Sequence, residues 1–361
     1  MRATTRRLLH SRFALAMLLL AWPLACPARA QGQAGAVSPR QTPSDVEREI
    51  FSSSDVMFNN GEVKLAGTLT VPKGAGPHPA VVIITGSGGQ DRDGALGLHG
   101  LYKLIAERLS ASGVAALRVD DRGVGKSVMP NARPTSYRDL VSDTRAAFDY
   151  LHTRPEIDPK RIALVGHSEG ALTAMIIAAE DPRVTAVALL AGASRPVDRV
   201  ALEQALHRVA LEELIDPSDR SRLPQIHQDI LKFFDDARTI PKPNGGPDPY
   251  GWFREHAQID PLAFARRVRC PALILSGERD MLVLPYHALE LAQALAHGGN
   301  KCVRLRIFPD LTHIFTTHPH AAGEKAPQIS ENFLLTLQNW AADVLSIPRD
   351  SHTRKPPKKI F

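Results

Sequence analysis

The sequence lacks the residue patterns that mark metal, phosphate and dinucleotide sites. No group of Cys, His and Asp residues has the spacing of a metal site. Residues 125–127 (Gly-Lys-Ser) resemble the end of a phosphate-binding loop, but Asp120 stands where this loop requires its first glycine. Residues 86–88 (Gly-Ser-Gly) could begin a dinucleotide loop, but Asp91 replaces the third glycine. We therefore expect no metal and no cofactor.

Positive charge is scarce outside the two ends of the chain. The formal net charge is +6, of which residues 1–30 contribute +5 and residues 349–361 contribute +4. The remainder is close to −3, and without a net positive field it gives a nucleic-acid partner little support. We interpret residues 349–361 as a disordered basic tail that is solvated or contacts an anionic surface.

Long apolar runs are also missing, except near the N-terminus. Residues 13–22 are apolar, follow several arginines and are too short to span a bilayer. Residues 28–30 (Ala-Arg-Ala) fit a cleavage site, which predicts a signal peptide at 1–30 and a polar linker at 31–50. A lipoprotein anchor at Cys26 is the alternative. We expect a secreted or periplasmic protein without stable membrane insertion, and its oligomeric state is left open.

Cysteine is rare, with three residues in the chain. Cys26 would leave with the signal peptide, and Cys270 and Cys302 remain. Both precede apolar segments that we expect to form neighbouring strands, so a disulfide is plausible in an oxidising compartment. The alternative is a pair of small buried cysteines.

The remaining sequence alternates short apolar segments with helical ones. The predicted strands are 80–85, 114–119, 161–165, 184–190, 272–275 and 303–308, and the predicted helices are about 99–112, 136–153, 169–180, 285–297 and 328–346. This alternation predicts an α/β domain at 51–348 whose mostly parallel central sheet has helices on both faces. Residues 55–71 predict an antiparallel N-terminal hairpin that turns at Asn60-Gly61.

One interval, between the strands that end at Leu190 and begin at Ala272, is too long for a single crossover helix. Two amphipathic helices fit it, and their apolar positions are Leu202, Leu206, Val209 and Leu214 in the first and Ile226, Ile230 and Phe233 or Phe234 in the second. A Pro/Gly-rich loop follows at 241–249. We predict a helical lid inserted at 195–262, above the carboxyl ends of the strands.

A candidate nucleophile lies in Gly-His-Ser-Glu-Gly at 166–170, between a predicted strand and a predicted helix. A strand, a sharp turn and a helix with serine at the tip form the nucleophile elbow of serine hydrolases, which places Ser168 above the sheet. The residues two before and two after the serine must be small, or they would clash across the turn.

A serine nucleophile needs a base and an acid that orients the base. In this arrangement the acid and then the histidine follow the serine along the chain. Asp280 and His313 each come just after a predicted strand, and we predict them as the acid and the base. His318 and His320 are fallback bases. Asp310 is a poor acid, because it lies three residues before His313 on one short loop.

Two backbone N–H groups must stabilise the negative oxygen of the intermediate. We predict those of Glu169, directly after the nucleophile, and of Ser87 in the glycine loop after the first central strand, with Gly88 in reserve. The loop 120–127 is expected to buttress this region, with Asp121 and Arg122 in local ion pairs.

In this order, these parts resemble the α/β-hydrolase superfamily over about residues 55–346, and within it bacterial serine aminopeptidase-like and dienelactone-hydrolase-like esterases. The likeness is carried by residues 86–93, 121–127, 166–170, 277–280 and the loop around His313. It implies a serine esterase that acts on small-molecule esters through an acyl-enzyme intermediate.

Three alternatives stay open. A thioesterase or acyltransferase would use the same three residues. An N-terminal-residue peptidase would need lid acids such as Glu203, Glu212 and Glu213 to hold an ammonium group. A non-catalytic binding protein could use the same fold.

Overall fold

The computed structural model describes residues 50–95, 97–130, 134–215, 223–239, 248, 250–317 and 327–345. The predicted signal peptide, most of the predicted linker and the basic tail lie outside these ranges. So do the fallback bases His318 and His320.

Eight strands form one sheet in the order β1-β2-β4-β3-β5-β6-β7-β8. They are β1 Phe51–Asn60, β2 Val63–Pro72, β3 His78–Ile84, β4 Ala115–Val119, β5 Ile157–His167, β6 Val187–Leu190, β7 Ala272–Gly277 and β8 Val303–Phe308. Strands β4, β3 and β5 to β8 are parallel, while β2 runs antiparallel to both β1 and β4. The predicted α/β-hydrolase architecture, a mostly parallel sheet with an antiparallel N-terminal hairpin, is confirmed.

Nine helices are present in the described ranges. They are α1 Leu101–Ala111, α2 Tyr137–His152, α3 Glu169–Glu180, α4 Val197–Ile215, α5 Leu223–Thr239, α6 Gly251–His256, α7 Pro261–Ala265, α8 Tyr286–His297 and α9 Glu331–Leu345. Helices α1 and α9 pack on one face of the sheet, and α2, α3, α7 and α8 pack on the other. The alternating strand residues Val81 and Val82 enter different apolar cores, as expected for a sheet that is buried on both faces.

The hairpin turn lies one residue later than the sequence indicates. Asn60 still pairs with Val63, so the two-residue connection is Gly61-Glu62 rather than Asn60-Gly61. Gly61 has φ of +59°, a conformation that glycine adopts without a steric penalty.

The interval between β6 and β7 holds helices α4 to α7. The first two match the pair expected from the sequence. A small apolar core, formed by residues such as Ala205 and Phe253 with Phe233 packed against them, joins α4, α5 and α6. Helix α7 packs instead against α3 and α8 and so belongs to the main domain. We call residues 197–256 the inserted segment; that it acts as a lid remains a prediction.

Two smaller expectations concern thiols and membranes. Cys270 and Cys302, both partly buried, are thiols in this structure and are not joined in the disulfide that the sequence left plausible. Within the described ranges, no helix is both long and apolar enough to cross a bilayer.

Candidate active site

The chain reverses sharply at Ser168, between strand β5 and helix α3. Ser168 has φ of 56° and ψ of −119°, a strained conformation for a residue other than glycine. Its backbone N–H donates to the carbonyl of Leu190 at the end of the adjacent strand β6, at 2.8 Å. The serine therefore sits at the carboxyl edge of the sheet, where ligands bind in open α/β sheets.

The glycines on either side of Ser168 are required by close backbone contacts. A Cβ atom on Gly166 would lie 2.1 Å from the carbonyl oxygen of Gly170, and one on Gly170 would lie 2.3 Å from the carbonyl oxygen of Thr85. Real Cβ atoms do not approach backbone oxygens so closely. The Gly-x-Ser-x-Gly spacing thus follows from how tightly helix α3 packs on strands β5 and β3.

Asp280 and His313 come together from different loops at this edge. Asp280 follows β7, His313 follows β8, and both side chains are buried. His313 Nδ1 lies 2.8 Å from Asp280 Oδ2, while Asp280 Oδ1 accepts the backbone N–H groups of Leu282 and Val283 at 2.9 and 2.8 Å. This fixes the carboxylate and directs the imidazole Nδ1–H toward it, which leaves Nε2 as the basic nitrogen.

His167 links the nucleophile loop to the loop of His313. Its Nε2–H donates to the His313 carbonyl oxygen at 3.1 Å, and the two ring centroids are 4.9 Å apart. Burial, with a smaller contribution from His313, lowers the pKa of His167 to about 3, so it stays neutral at ordinary pH. Because His167 directly precedes Ser168, this bond holds the serine and the His313 loop together.

The glycine loop after β3 lies against the same serine. A Cβ atom on Gly86 would be 3.2 Å from Ser168 Cβ. The Gly86 N–H donates to the Tyr102 hydroxyl at 3.0 Å, and that hydroxyl donates to Gln90 Oε1 at 2.7 Å. Gln90 Nε2 in turn donates to the Ser87 carbonyl at 2.9 Å. A buried tyrosine therefore fixes the loop that carries Ser87.

The two predicted oxyanion donors lie in segments that adjoin Ser168. Ser87 directly follows Gly86, which approaches Ser168. Glu169 is the first residue of helix α3, where backbone N–H groups have no partner within the helix. The reserve donor Gly88 is exposed and has φ of +87°. The structure thus brings Ser87, Ser168 and Glu169 into one small region.

The prediction of an ion pair for Asp121 is wrong. Asp121 accepts hydrogen bonds from Thr85 Oγ1 at 2.7 Å and from the Gln90 N–H at 2.8 Å, and so braces the glycine loop. Burial raises its pKa to about 7. Arg122 does form ion pairs, with Asp139 and Asp143 of helix α2, but these lie across the fold rather than within its own loop.

The remaining candidates have other contacts. Asp310 pairs with Arg279 at 2.5 Å, which agrees with its rejection as the acid. Glu203 accepts from His287 Nε2 at 2.9 Å. In the part of the chain that the structure describes, no group of three or more His, Cys, Asp or Glu residues could hold a metal ion.

Three residues that shape this site, His167, Tyr102 and Trp252, are not evident from the sequence patterns. The Tyr102 hydroxyl contacts Gly86 and His167, which are distant from it in the sequence. The Trp252 Nε1–H donates to Glu169 Oε1 at 2.8 Å, also across a long sequence separation. The position of His167 beside the nucleophile is the one signal that the sequence offers.

Comparisons with known proteins agree with this fold. The family model for "Serine aminopeptidase, S33" matches residues 93–319. The chain is 29% identical over 283 residues to the esterase EstD of Thermotoga maritima, covering 76% of this chain and 62% of that protein. It is 27% identical over 303 residues to the human serine hydrolase BPHL, covering 82% of this chain and 91% of that one. An esterase of Pyrococcus furiosus superposes with a TM-score of 0.56 at 19% identity, over 86% of this chain and 96% of its own.

Proposed function

The chain belongs to the serine aminopeptidase (S33) family of α/β-hydrolases, and from this premise we propose that it is a serine esterase. The proposal rests chiefly on one observation. The hydrogen-bonded pair Asp280–His313 is linked through His167 to Ser168 at the tip of the elbow. Acid, base and strained serine are the parts that nucleophilic catalysis by a hydroxyl requires.

In the proposed first step, Ser168 Oγ attacks the ester carbonyl carbon and its proton passes to His313 Nε2. Asp280 stabilises the imidazolium that results. The backbone N–H groups of Ser87 and Glu169 stabilise the negative oxygen of the tetrahedral intermediate. The intermediate collapses, the C–O bond to the alcohol breaks, and His313 protonates the departing alkoxide, which leaves Ser168 acylated.

In the second step, His313 removes a proton from water, whose oxygen attacks the acyl carbon. The second tetrahedral intermediate releases the carboxylic acid and returns the proton to Ser168 Oγ. The neutral His167 adds no competing charge beside the reacting groups, because burial lowers its pKa to about 3.

Ester substrates are favoured by the relatives and by the contacts of the inserted segment. EstD and the Pyrococcus furiosus protein are both named esterases, although this chain spans only 62% of EstD's length. An aminopeptidase would need a carboxylate free to bind an ammonium group. Glu203, the one of the three candidate acids whose side chain the structure describes, is already bound to His287.

The test is turnover of p-nitrophenyl acetate and butyrate by Ser168→Ala. We expect kcat to fall at least about 10⁴-fold, because the nucleophile is removed. Ser54→Ala, on exposed strand β1, is the matched control and should keep its activity. Unchanged turnover in Ser168→Ala would exclude the proposal. Faster turnover of aminoacyl arylamides than of esters by the unmodified protein would favour the peptidase instead.

A further inference from the structure

The side chain of Glu169 is a buried acid with no role in the proposed reaction, which uses only its backbone N–H. The side chain is 4% exposed. Its Oε1 accepts the Trp252 indole N–H at 2.8 Å, and its Oε2 lacks a hydrogen-bond partner among the described residues. A buried polar atom left in this state is costly and calls for an explanation.

Aromatic side chains from helices α6 and α2 surround the Glu169 carboxyl group. Trp252 and His256 lie on helix α6 of the inserted segment, with ring centroids 4.9 Å apart. The His256 ring stacks on Tyr137 of helix α2 at 4.5 Å and 3°. His256 Nδ1 lies 3.5 Å from Glu169 Oε1 and also lacks a hydrogen-bond partner within the described ranges. The inserted segment thus contacts the residue directly after the nucleophile.

The electrostatic surroundings favour uncharged groups. Burial, with a smaller contribution from Asp121 in the loop after β4, raises the pKa of Glu169 to about 7 against the opposing hydrogen bonds of Ser87 and Trp252. Burial lowers the pKa of His256 to about 3 and raises that of Tyr137 well above its ordinary value. Below neutral pH, Glu169, His256 and Tyr137 are all uncharged, and the Glu169 hydroxyl can point toward His256 Nδ1.

A cavity of about 50 Å³ adjoins this group and is lined in part by Thr85, Asp121, Glu169 and Thr173. This is room for at least one water molecule, and Glu169 is one of several polar residues in the wall.

We propose that Glu169, in its neutral form, is a positioning residue that holds helix α6 against the nucleophile elbow through Trp252, and that its ionisation loosens this contact. The expected effect on activity rests on the esterase function proposed above. The expected movement of helix α6 is independent of that function. An ionised Glu169 is more stable hydrated than buried, so the loosened form gains relative to the closed form as the pH rises. The gain is at most about 300-fold, from the difference between a pKa of about 7 and the ordinary 4.5.

Esterase activity should change over the same pH range as the ionisation of Glu169. Glu169 carries one of the two proposed oxyanion donors, and a negative charge on its side chain opposes the developing charge on the substrate oxygen. We therefore expect kcat to decline on the alkaline side with a midpoint near pH 7. In Glu169→Gln the part of the decline that belongs to Glu169 should disappear, because the amide does not ionise, whereas Asp121, whose pKa is also about 7, is present in both proteins. Its oxygen can still accept from the Trp252 indole N–H.

The experiment that tests the structural part is a pH titration of tryptophan fluorescence from pH 5.5 to 8.5. The chain has three tryptophans, Trp22, Trp252 and Trp340, so the signal of Trp252 is obtained by difference from Trp252→Phe. We expect a transition near pH 7 in the unmodified protein and also in the inactive Ser168→Ala. Glu169→Gln should show no transition.

Because the fluorescence signal does not depend on turnover, this readout separates the two proposals. A fluorescence transition that persists in Glu169→Gln, or no transition in the unmodified protein, would overturn the positioning role even if the protein is an esterase. A transition that Glu169→Gln removes would support the role even if no ester is cleaved. Circular dichroism melting of Glu169→Gln verifies that the variant is folded.

The pair Glu169→Gln and Glu169→Ala adds a kinetic test. Alanine cannot accept from Trp252, so we expect Glu169→Ala to lower kcat at every pH by more than Glu169→Gln does. Equal effects of the two variants would show that the hydrogen bond to Trp252 does not position the elbow.

Discussion

Asp280, in the loop after β7, and Glu169, at the start of helix α3, are buried acids at the carboxyl edge of the sheet, and their surroundings differ. Asp280, after β7, receives two backbone N–H bonds and faces His313, so both of its oxygens have partners. Glu169, after β5, has no backbone donor of this kind; its side chain contacts the Trp252 indole N–H and the Ser87 side chain, and its Oε2 lacks a close hydrogen-bond partner among the described residues. Fixed donors stabilise an ionised carboxylate, whereas burial with few donors stabilises the neutral acid.

This difference assigns the two acids to different tasks. The loop of Asp280, which supplies a partner for each carboxylate oxygen, suits an acid that orients a histidine. The region of Glu169 suits an acid whose protonation depends on pH, and it joins the nucleophile elbow to the inserted segment. Replacing each acid in turn by its uncharged amide can separate these tasks.

The largest expected effect comes from removing the negative charge of Asp280. In Asp280→Asn the amide no longer orients and stabilises His313 in the correct form, and we expect kcat to fall roughly 10³- to 10⁴-fold. Glu169→Gln is the matched change in the other region, and we expect a loss below about tenfold at pH 6, because the acid is already neutral there. Steady-state kinetics on p-nitrophenyl butyrate measures both. Similar losses in the two variants would remove the distinction between the acids.

The second effect tests the packing of the elbow itself. In Gly170→Ala the new Cβ would meet the Thr85 carbonyl oxygen at 2.3 Å, and we expect a loss of about 3 kcal/mol or more in the free energy of unfolding. Gly113→Ala is the control, because Gly113 has φ of +94° but no atom within 4 Å of the position that a Cβ would take. It should cost only about 1 kcal/mol. Urea denaturation measures both, and equal losses would contradict the contact.

The third effect is the pH dependence of stability. The pKa of Glu169 rises from 4.5 to about 7 on folding, so between these values the folded state binds more protons than the unfolded state. The Glu169 contribution to stability is fully present below pH 4.5 and is lost as the pH rises through 7. The unfolding free energy of the unmodified protein relative to Glu169→Gln should therefore fall by about 3 kcal/mol over this window.

The quantity to measure is the difference in unfolding free energy between the unmodified protein and Glu169→Gln. His167 and His256, whose pKa values are lowered to about 3, act in the opposite direction, since they cost stability as the pH falls below 6.5. Both histidines are present in the unmodified protein and in the variant, so their effect cancels. Urea denaturation at pH 4.5, 6 and 7.5 is sufficient. A difference that does not change with pH would show that Glu169 ionises normally in the folded protein.

The smallest effect concerns another polar contact of the inserted segment. Glu203 of helix α4 binds His287 of α8 at 2.9 Å, and His287 Nδ1 in turn lies 2.7 Å from Ser194 Oγ. Glu203→Gln should cost about 1 kcal/mol of stability and change kcat less than twofold, because no group at the elbow depends on it. Thermal melting and ester turnover are the measurements. A large loss of activity would mean that Glu203 acts on the substrate, as the peptidase alternative requires.

Much of the fold can be predicted because it follows from local patterns. Apolar strands and amphipathic helices have distinct periodicities, and the Ser, Asp and His candidates each stand just after a strand. The hairpin turn is misplaced by one residue in the prediction, because Asn60 still pairs with Val63. The predicted end of the insertion, residue 262, falls within helix α7, which packs on the main domain.

The features that could not be predicted from the sequence depend on contacts between residues that are far apart in the chain. Asp121 is predicted in an ion pair, but it binds Thr85, 36 residues away. Trp252 reaches Glu169 across 83 residues, and no spacing rule links the two. The signal peptide, the basic tail and the secreted or periplasmic location stay predictions.

Every step of the proposed reaction depends on Ser168 being the nucleophile. The most direct test is to treat the protein with a fluorophosphonate probe and to map the modified peptide by mass spectrometry. We predict that the probe attaches to Ser168 and that Ser168→Ala, folded by circular dichroism, is not labelled. Labelling at another residue, or no labelling of a protein that still cleaves p-nitrophenyl butyrate, would contradict this assignment.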